Sequence, residues 1–337
     1  MKNIALIGTG RIGTHHAGVL ASEVKGAKLT ALVDPMSPNL ESLAQELGVP
    51  TTSTDPMSVI NDPAIDAVVI CTPAATHAEL IEAAAAAGKD IFTEKPVATT
   101  VADAKKAVEA AAKAGVTLQV GFNRRYAESW ARSKEMVVAG AVGSVQRVHS
   151  ITRDPGPFGA DPAKIPAGTI FNETLIHDFD TICWLNEGSE PVDVYAVADA
   201  LVAPEAKEQG FQDSSVVVIR FDNGAITTAE ACFCAMYGYD LRGEVFGSGG
   251  MVQMGRPEAT DARLFDSGGE VVDTSGTDTS RYHGSYVGEF QAFADRINGK
   301  DIAIPTGEDG IRAQLIASAA IKSADEGRPV RIEEVSA

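Results

Sequence analysis

The sequence has 337 residues, which predicts two domains and allows a substantial core to form without disulfides or a metal ion. Its composition, with 45% hydrophobic and 22% charged residues, is that of a globular protein and excludes collagen, a disulfide scaffold and a disordered tail. The net charge of -18 disfavours nucleic acid and acidic membrane surfaces as partners, and no apolar run approaches the roughly 18 residues that span a bilayer.

Residues 1–122 alternate short apolar strands with helices. The predicted strands cover residues 3–7, 29–33, 67–71, 90–93 and 117–122, and the predicted helices cover residues 11–22, 39–47, 77–87 and 101–114. Strands that alternate with helices pair in parallel through right-handed crossovers. The first domain is therefore predicted to be a doubly wound α/β domain with a parallel sheet.

Residues 123–337 show a different order, in which most strands follow one another directly. We expect helices at 129–139, 173–185, 286–297 and 308–324, a loop rich in Pro and Gly at 154–168, and strands at 144–152, 192–198, 215–221, 225–234, 241–246 and 251–254. Asp222-Asn223-Gly224 is a strong hairpin signal, so we interpret the successive strands as antiparallel. This predicts an α+β domain with a large, open, mostly antiparallel sheet, with the alternative that its last helices pack back on the first domain.

The segment Gly8-Thr9-Gly10-Arg11-Ile12-Gly13 is a G-x-G-x-x-G motif that follows a predicted strand and opens a predicted helix. This context is typical of a Rossmann dinucleotide-binding domain. The glycines let the backbone approach a pyrophosphate, and the helix N-terminus supplies amides and a positive dipole. We expect all six residues to contact the cofactor.

The choice of cofactor is predicted from Asp34, which lies 21 residues after Gly13 at the end of the second strand. A carboxylate at this place can bind a ribose 2′-hydroxyl. Pro35 and Met36 follow it, so no cation is ready to receive a 2′-phosphate. The prediction is therefore NAD rather than NADP.

Further candidate residues follow the other predicted strands. Ligands of an open parallel sheet bind beyond the carboxyl ends of its strands. The groups at these positions are Gly8–Gly13, Asp34, Thr72-Pro73, Glu94-Lys95-Pro96 and Asn123-Arg124-Arg125. We expect Thr72, Pro73, His77, Glu94, Lys95 and Asn123 to border the cofactor, and Lys95 also to act on the substrate.

Taken together, the glycine motif, Thr72-Pro73 with Thr76-His77, and Glu94-Lys95-Pro96 resemble the Gfo/Idh/MocA oxidoreductase family. Residues 121–126, 173–177 and 237–240 resemble the inositol dehydrogenases within it. The resemblance extends over the whole chain and implies hydride transfer between a nicotinamide and a carbon of a sugar or cyclitol. It also implies a homotetramer.

Oxidation of a secondary alcohol requires a base for the hydroxyl proton, and His177 has a suitable intrinsic pKa. Glu173 lies four residues earlier, which on one helix face would let it orient the imidazole. The resembling enzymes usually carry Asp at this position. Lys95 would bind the same hydroxyl and stabilise the developing alkoxide. Arg125, Asp154, Tyr237 and Tyr282 are further candidates for binding ring hydroxyls.

The four cysteines, Cys71, Cys183, Cys232 and Cys234, are too few for a disulfide framework. The N-terminal segment reaches Gly8 too early for a secretory signal. We therefore expect reduced thiols in a cytoplasmic protein. Cys232-x-Cys234 has no second pair or nearby His, so no metal site is predicted.

The sequence as a whole predicts NAD-dependent oxidation of a cyclitol, with myo-inositol converted to 2-keto-myo-inositol. Another sugar or polyol dehydrogenase or reductase of the family is an alternative, because Ala127 stands where the inositol branch usually has Asp. A second alternative is an internal-redox enzyme with a tightly held nicotinamide. A third is a non-catalytic NAD-binding sensor.

Overall fold

The computed structural model describes residues 1–156 and 161–336, so residues 157–160 of the expected Pro- and Gly-rich loop lie outside the described residues. The chain divides into two units. The first contains Met1–Tyr126 and Gly284–Ile311, and the second contains Ala127–His283 and the chain from Arg312 onward.

The first unit is built on a parallel six-stranded sheet. Its elements, in chain order, are β1 (Lys2–Ile7), α1 (Arg11–Ser22), β2 (Ala27–Val33), α2 (Leu40–Leu47), β3 (Thr51–Ser53), α3 (Pro56–Ile60), β4 (Ala67–Ile70), α4 (His77–Ala86), β5 (Asp90–Thr93), α5 (Val101–Ala114) and β6 (Leu118–Val120). The strand order is β3-β2-β1-β4-β5-β6. The chain therefore reverses its direction of travel between β1 and β4, which is where ligands bind in doubly wound sheets. The predicted fold of this unit is confirmed.

Local chemistry explains several of these boundaries. β4 is buried at all four positions, as an apolar strand covered on both faces must be. Thr100 caps α5 by accepting a hydrogen bond from the Asp103 amide, and Gly115 ends the helix with φ +69°. β3 and α3 were not predicted from the sequence, because the three-residue strand Thr51–Ser53 carries no apolar pattern.

Part of the C-terminal chain completes the core of the first unit. Phe290, Phe293 and Ile297 are buried in one cluster with apolar residues of β1, β2, α1 and α2. The ring centroids of Phe92 and Phe290 lie 4.6 Å apart. Burial of each phenylalanine contributes about 1.5–3 kcal/mol, so this segment is an integral part of the unit.

The second unit contains a seven-stranded sheet and a separate hairpin. The remaining elements are α6 (Glu128–Val138), β7 (Val145–Arg153), α7 (Ile176–Leu185), β8 (Pro191–Asp199), β9 (Ser214–Phe221), β10 (Ile226–Cys232), β11 (Asp240–Gly247), β12 (Met251–Gly255), β13 (Glu258–Asp266), β14 (Gly269–Thr274), α8 (Asp278–Ile297), α9 (Gly307–Glu326) and β15 (Val330–Arg331). The order in the sheet is β12-β11-β7-β10-β9-β8-β15. One boundary between the two units lies just before α6, and the other two fall within α8 and α9.

The mostly antiparallel sheet is confirmed, with one departure from the expected pairing. β10 pairs with β7 in parallel, whereas the other pairs of this sheet are antiparallel. The β9–β10 hairpin turns at the predicted Asp222-Asn223-Gly224 segment, where the Gly224 amide donates to the Phe221 carbonyl. The hairpin of β13 and β14 was not predicted, because its residues are almost all exposed and show no apolar alternation.

Among the helices of the described residues, none has the length and apolar character that crossing a membrane requires.

Candidate functional site

The glycine motif forms a tight loop between β1 and α1. Gly8 has φ +97°, and a Cβ there would lie 2.7 Å from the Cys71 carbonyl carbon. A Cβ at Gly13 would lie 2.0 Å from the Gly8 oxygen, so both positions require glycine. A Cβ at Gly10 would meet no described atom within 4 Å. The loop is thus closed on its inner side and open on the side where a ligand would approach.

The N-terminus of α1 is suited to an anion. Gly10 is the N-cap residue and provides no side-chain cap, and the first turn, which begins with Arg11 and Ile12, contains no acidic residue. The first amides of a helix have no partner within the helix and carry a partial positive charge. The loop and this helix end therefore fit the pyrophosphate of a dinucleotide.

Asp34 follows β2 and is bound to the glycine loop. Its Oδ2 accepts hydrogen bonds from the Thr9 amide at 2.7 Å and the Thr9 hydroxyl at 3.1 Å. Its Oδ1 accepts from the amides of Met36 and Ser37 at 2.8 and 3.0 Å. Burial raises the pKa of Asp34, but these hydrogen bonds outweigh burial and hold the pKa below its usual value. Asp34 is therefore a fixed anion beside the cofactor loop.

Glu94 and Lys95 follow β5 and lie at the same edge of the sheet as the glycine loop. Glu94 Oε1 lies 2.7 Å from His16 Nε2, and Glu94 Oε2 accepts a hydrogen bond from the Lys95 amide at 3.2 Å. Burial raises the pKa of Glu94. The hydrogen bond from His16 and the nearby positive charge of Lys95 lower it by more than burial raises it, so the carboxyl is ionised. The backbone of Lys95 is therefore held by a carboxylate that is 12% exposed.

His77 connects two of the predicted cofactor segments. It is buried at the start of α4, with Nδ1 2.7 Å from the Pro96 carbonyl oxygen and Nε2 2.8 Å from the Thr72 carbonyl oxygen. Thr72 also accepts a hydrogen bond from the Thr76 hydroxyl at 2.7 Å. His77 thus fixes the backbone of the segments after β4 and β5, beneath the cofactor edge.

The residues after β6 form a short 3-10 helix, Asn123–Tyr126. Asn123, a predicted cofactor contact, is buried directly after β6. Arg125 forms an ion pair with Asp309, with 3.2 Å between Nη2 and Oδ1. Arg125 was predicted to bind substrate, and the structure adds a partner from α9 that sequence spacing could not reveal.

The segment that contains Glu173 and His177 differs from the expected continuous helix. Ile170–Thr174 form a π-helical turn, in which the Leu175 amide donates to the Ile170 carbonyl, and α7 begins only at Ile176. The prediction of one α-helix from Glu173 was therefore wrong. Because a π turn is wider than an α turn, the spacing of four residues does not by itself place Glu173 and His177 on one face. Glu173 is exposed and His177 is half-buried.

Asp178 is a buried acid beside His177 that the sequence analysis did not single out. It accepts hydrogen bonds from the hydroxyls of Ser150 and Thr152 at 2.5 and 2.7 Å. These contacts tie the start of α7 to β7 and so fix the backbone that carries His177. Its position in the sequence directly after His177 is the signal by which it could have been found.

The other predicted substrate contacts also lie in the second unit. The Asp154 backbone pairs with the Cys232 carbonyl and the Ala235 amide, which joins the end of β7 to the segment after β10. Tyr237 is half-exposed and donates to Asp240 at 2.7 Å. Tyr282 is buried on α8.

The comparisons with known proteins agree with this geometry. The family model described as "Oxidoreductase family, NAD-binding Rossmann fold", of the Gfo/Idh/MocA group, matches residues 2–122, and the model of the GFO/IDH/MocA C-terminal domain matches residues 130–253. The chain is 37% identical to the myo-inositol 2-dehydrogenase of Thermotoga maritima over 98% of this chain and 99% of the relative. It is 35% identical to the scyllo-inositol 2-dehydrogenase (NAD(+)) of Bacillus subtilis over 98% of this chain and 96% of the relative.

The fold is also similar to that of a solved enzyme with ligands. The structure of scyllo-inositol dehydrogenase from Lactobacillus casei with bound NAD(H) and scyllo-inositol superimposes with a TM-score of 0.93 at 27% identity, covering 99% of both chains. With both halves matched by family models and relatives above 30% identity over nearly its whole length, this chain belongs to the Gfo/Idh/MocA oxidoreductase family and is an NAD-dependent dehydrogenase.

Proposed function

We propose that the protein oxidises one ring CH–OH of a cyclitol with NAD, and that myo-inositol, converted to 2-keto-myo-inositol, is the substrate. The observation that carries this proposal is Lys95 at the same sheet edge as the glycine loop and Asp34. The T. maritima relative supports myo-inositol as substrate. scyllo-Inositol is the second candidate, favoured by the B. subtilis relative and by the ligand of the L. casei structure.

The proposed roles follow from the chemistry of an alcohol oxidation. Bound NAD supplies the hydride acceptor. The Lys95 ammonium binds the reacting hydroxyl and stabilises negative charge as it develops on oxygen. His177 accepts the hydroxyl proton, and Glu173 supports the imidazolium electrostatically. Arg125, Asp154, Tyr237 and Tyr282 bind the other ring hydroxyls.

The substrate proposal is tested with purified protein, NAD or NADP, and a panel of myo-inositol, scyllo-inositol and aldoses, with formation of NADH or NADPH followed at about 340 nm. We expect the highest kcat/KM with NAD and a cyclitol. A higher value with an aldose would replace the proposal by the sugar dehydrogenase alternative. NAD binding without turnover of any compound would favour a sensor.

The cofactor preference is predicted to depend on Asp34. Its carboxylate repels a 2′-phosphate, and discrimination against NADP of about 2–4 kcal/mol is expected. Asp34→Ala should relax the kcat/KM ratio toward NADP. Asp34→Asn, which removes the charge and keeps one acceptor for Thr9, separates charge repulsion from loosening of the glycine loop. Equal wild-type efficiency with the two cofactors would contradict the prediction.

We also infer that the protein is a homotetramer that uses the outer face of the seven-stranded sheet. Tyr195, Val197 and Val216 are 41–56% exposed on this face, and Val197 pairs with Val216 across β8 and β9. Contiguous apolar surface of this kind is typical of subunit contacts. Light scattering should give a particle mass of about four times the 35.2 kDa mass of one chain. A mass equal to that of one chain at micromolar concentration would contradict the tetramer. Val216→Asp should lower the mass, whereas Leu264→Asp on the exposed hairpin should not.

The cytoplasm is the proposed location. All four cysteines are free, and two of them are buried. Free thiols are the usual state in a reducing compartment.

A further inference from the structure

Three ionisable side chains meet in the interior of the first unit, behind the Lys95 segment. They are His16 on α1, Glu94 after β5 and Glu289 on α8. One ring nitrogen of His16 and one carboxylate oxygen of each glutamate all lie within 4.8 Å of one another. His16 and Glu289 are 0% exposed, and the Glu94 side chain is 12% exposed. The proposed mechanism uses neither His16 nor Glu289.

The walls of this cluster are apolar. The rings of Tyr286 and Phe290, on either side of Glu289 along α8, contact the His16 ring with centroids 5.2 and 4.8 Å away. Phe92 approaches the same ring from β5 at 6.4 Å. Charges in such surroundings interact strongly, because little water is present to screen them.

The two carboxyl groups have unequal partners. Glu94 accepts from His16 and from the Lys95 amide, whereas neither side-chain oxygen of Glu289 has a hydrogen-bond partner among the described residues. A buried carboxylate without partners is far more costly than a neutral carboxyl. Burial and the negative charge of Glu94 accordingly raise the pKa of Glu289 well above its usual value.

No cation among the described residues offsets the two causes, burial and the charge of Glu94, that raise the pKa of Glu289. Cys71 faces the cluster from the end of β4, and burial and Glu94 raise the pKa of its thiol, which stays neutral. Tyr286 lies one turn earlier on α8, and His15 contacts Tyr286 at 5.2 Å. Gln119 of β6 binds the Glu289 backbone oxygen rather than its carboxyl.

We propose that Glu289 is a positioning residue that carries a buried proton, and that its neutral state keeps Glu94 as the single anion that holds the Lys95 segment. Ionisation of Glu289 would place a second negative charge beside Glu94 and displace it from the Lys95 amide. Activity should then decline on the alkaline side. The kinetic consequence rests on the proposed role of Lys95, whereas the buried proton itself does not.

The buried proton is tested by the pH dependence of thermal unfolding. Because the folded-state pKa of Glu289 is raised, the unfolded chain ionises first as the pH rises above about 4.5, and wild-type stability is lost from there upward. Glu289→Gln cannot ionise. Its Tm should match that of the wild type near pH 4 and exceed it increasingly toward pH 8. The folded-to-unfolded ratio of the variant, relative to that of the wild type, should grow by up to about tenfold per pH unit. Asp295→Asn, at a partly exposed acid on the same helix, should show no such divergence.

Two further measurements keep the proposal open to contradiction if Glu289→Gln folds poorly. Infrared spectra of the wild type at pH 7 should contain the C=O stretch of a protonated carboxyl, and its absence would overturn the proposal. A stoichiometric divalent metal in the purified protein would also overturn it, because metal binding requires the ionised carboxylate.

The kinetic test compares kcat and KM of the wild type and of Glu289→Gln across pH. Glu289→Gln should keep wild-type kcat near pH 7 within about twofold and lose the alkaline decline, since the amide is a neutral isostere. If the pH-dependent Tm difference is present but the kcat profiles coincide, Glu289 holds the proton without positioning Lys95, and that part of the proposal is overturned. If no cyclitol is oxidised at all, the proposed function fails while the stability test still stands.

Discussion

Lys95→Ala is expected to lose several orders of magnitude in turnover while NAD affinity stays nearly unchanged. Lys95 lies beyond β5 at the cofactor edge, with its amide held by Glu94 at 3.2 Å. Its ammonium would stabilise negative charge only as that charge develops, so its loss should lower kcat rather than weaken cofactor binding.

The measurement is steady-state kinetics of the variant, together with NAD titration by fluorescence. Lys106→Ala is the matched control, since Lys106 is an exposed lysine of α5 paired with Asp103. If Lys95→Ala kept more than about a tenth of wild-type activity, a loss below about 1.4 kcal/mol, Lys95 would not be a catalytic group.

His177→Ala is expected to lower turnover at least about a hundredfold, which is the usual scale for loss of a general base. Wild-type alcohol oxidation should rise with pH as the imidazole loses its proton and then level off, until the alkaline decline expected from ionisation of Glu289 begins. The variant should lack this rise. If Glu173 supports His177 as proposed, Glu173→Gln should move the rise to lower pH, because the imidazolium then loses a favourable negative charge.

The pH–rate profile of each variant provides the check, with His149→Ala as control. His149 lies on β7 of the same unit and is hydrogen-bonded to Thr228, so its removal should leave the rise in place. An unchanged profile in His177→Ala would mean that the proton goes to Lys95 or to solvent.

The fold and the cofactor loop could be predicted because their signals are local. Gly8, Gly13 and Asp34 lie within one βαβ unit, and the structure shows why each is needed: two positions leave no room for a Cβ, and the carboxylate binds Thr9. The buried strand β4 was likewise evident from four successive apolar residues. Short-range patterns of this kind determine element type and the sheet edge at which ligands bind.

Contacts between distant parts of the chain could not be predicted from a single sequence. Arg125 pairs with Asp309, and Glu289 approaches Glu94 and His16 only because the later residues of α8 belong to the core of the first unit. The π-helical turn before α7 could not be predicted either, since it differs from an α turn in its hydrogen bonds rather than in a pattern of residue types. These departures occur near the proposed site, where local rules are most often broken.

Transfer of deuterium from the substrate is the most direct test of the proposed reaction. Wild-type protein is incubated with NAD and myo-inositol deuterated at its ring carbons, and the reduced cofactor is analysed by mass spectrometry. The proposed oxidation of a ring CH–OH predicts one deuterium in each NADH formed and a ketone in the cyclitol product. NADH without deuterium would contradict the proposed reaction. Recovery of the deuterated cyclitol unchanged after long incubation with saturating NAD would contradict it as well.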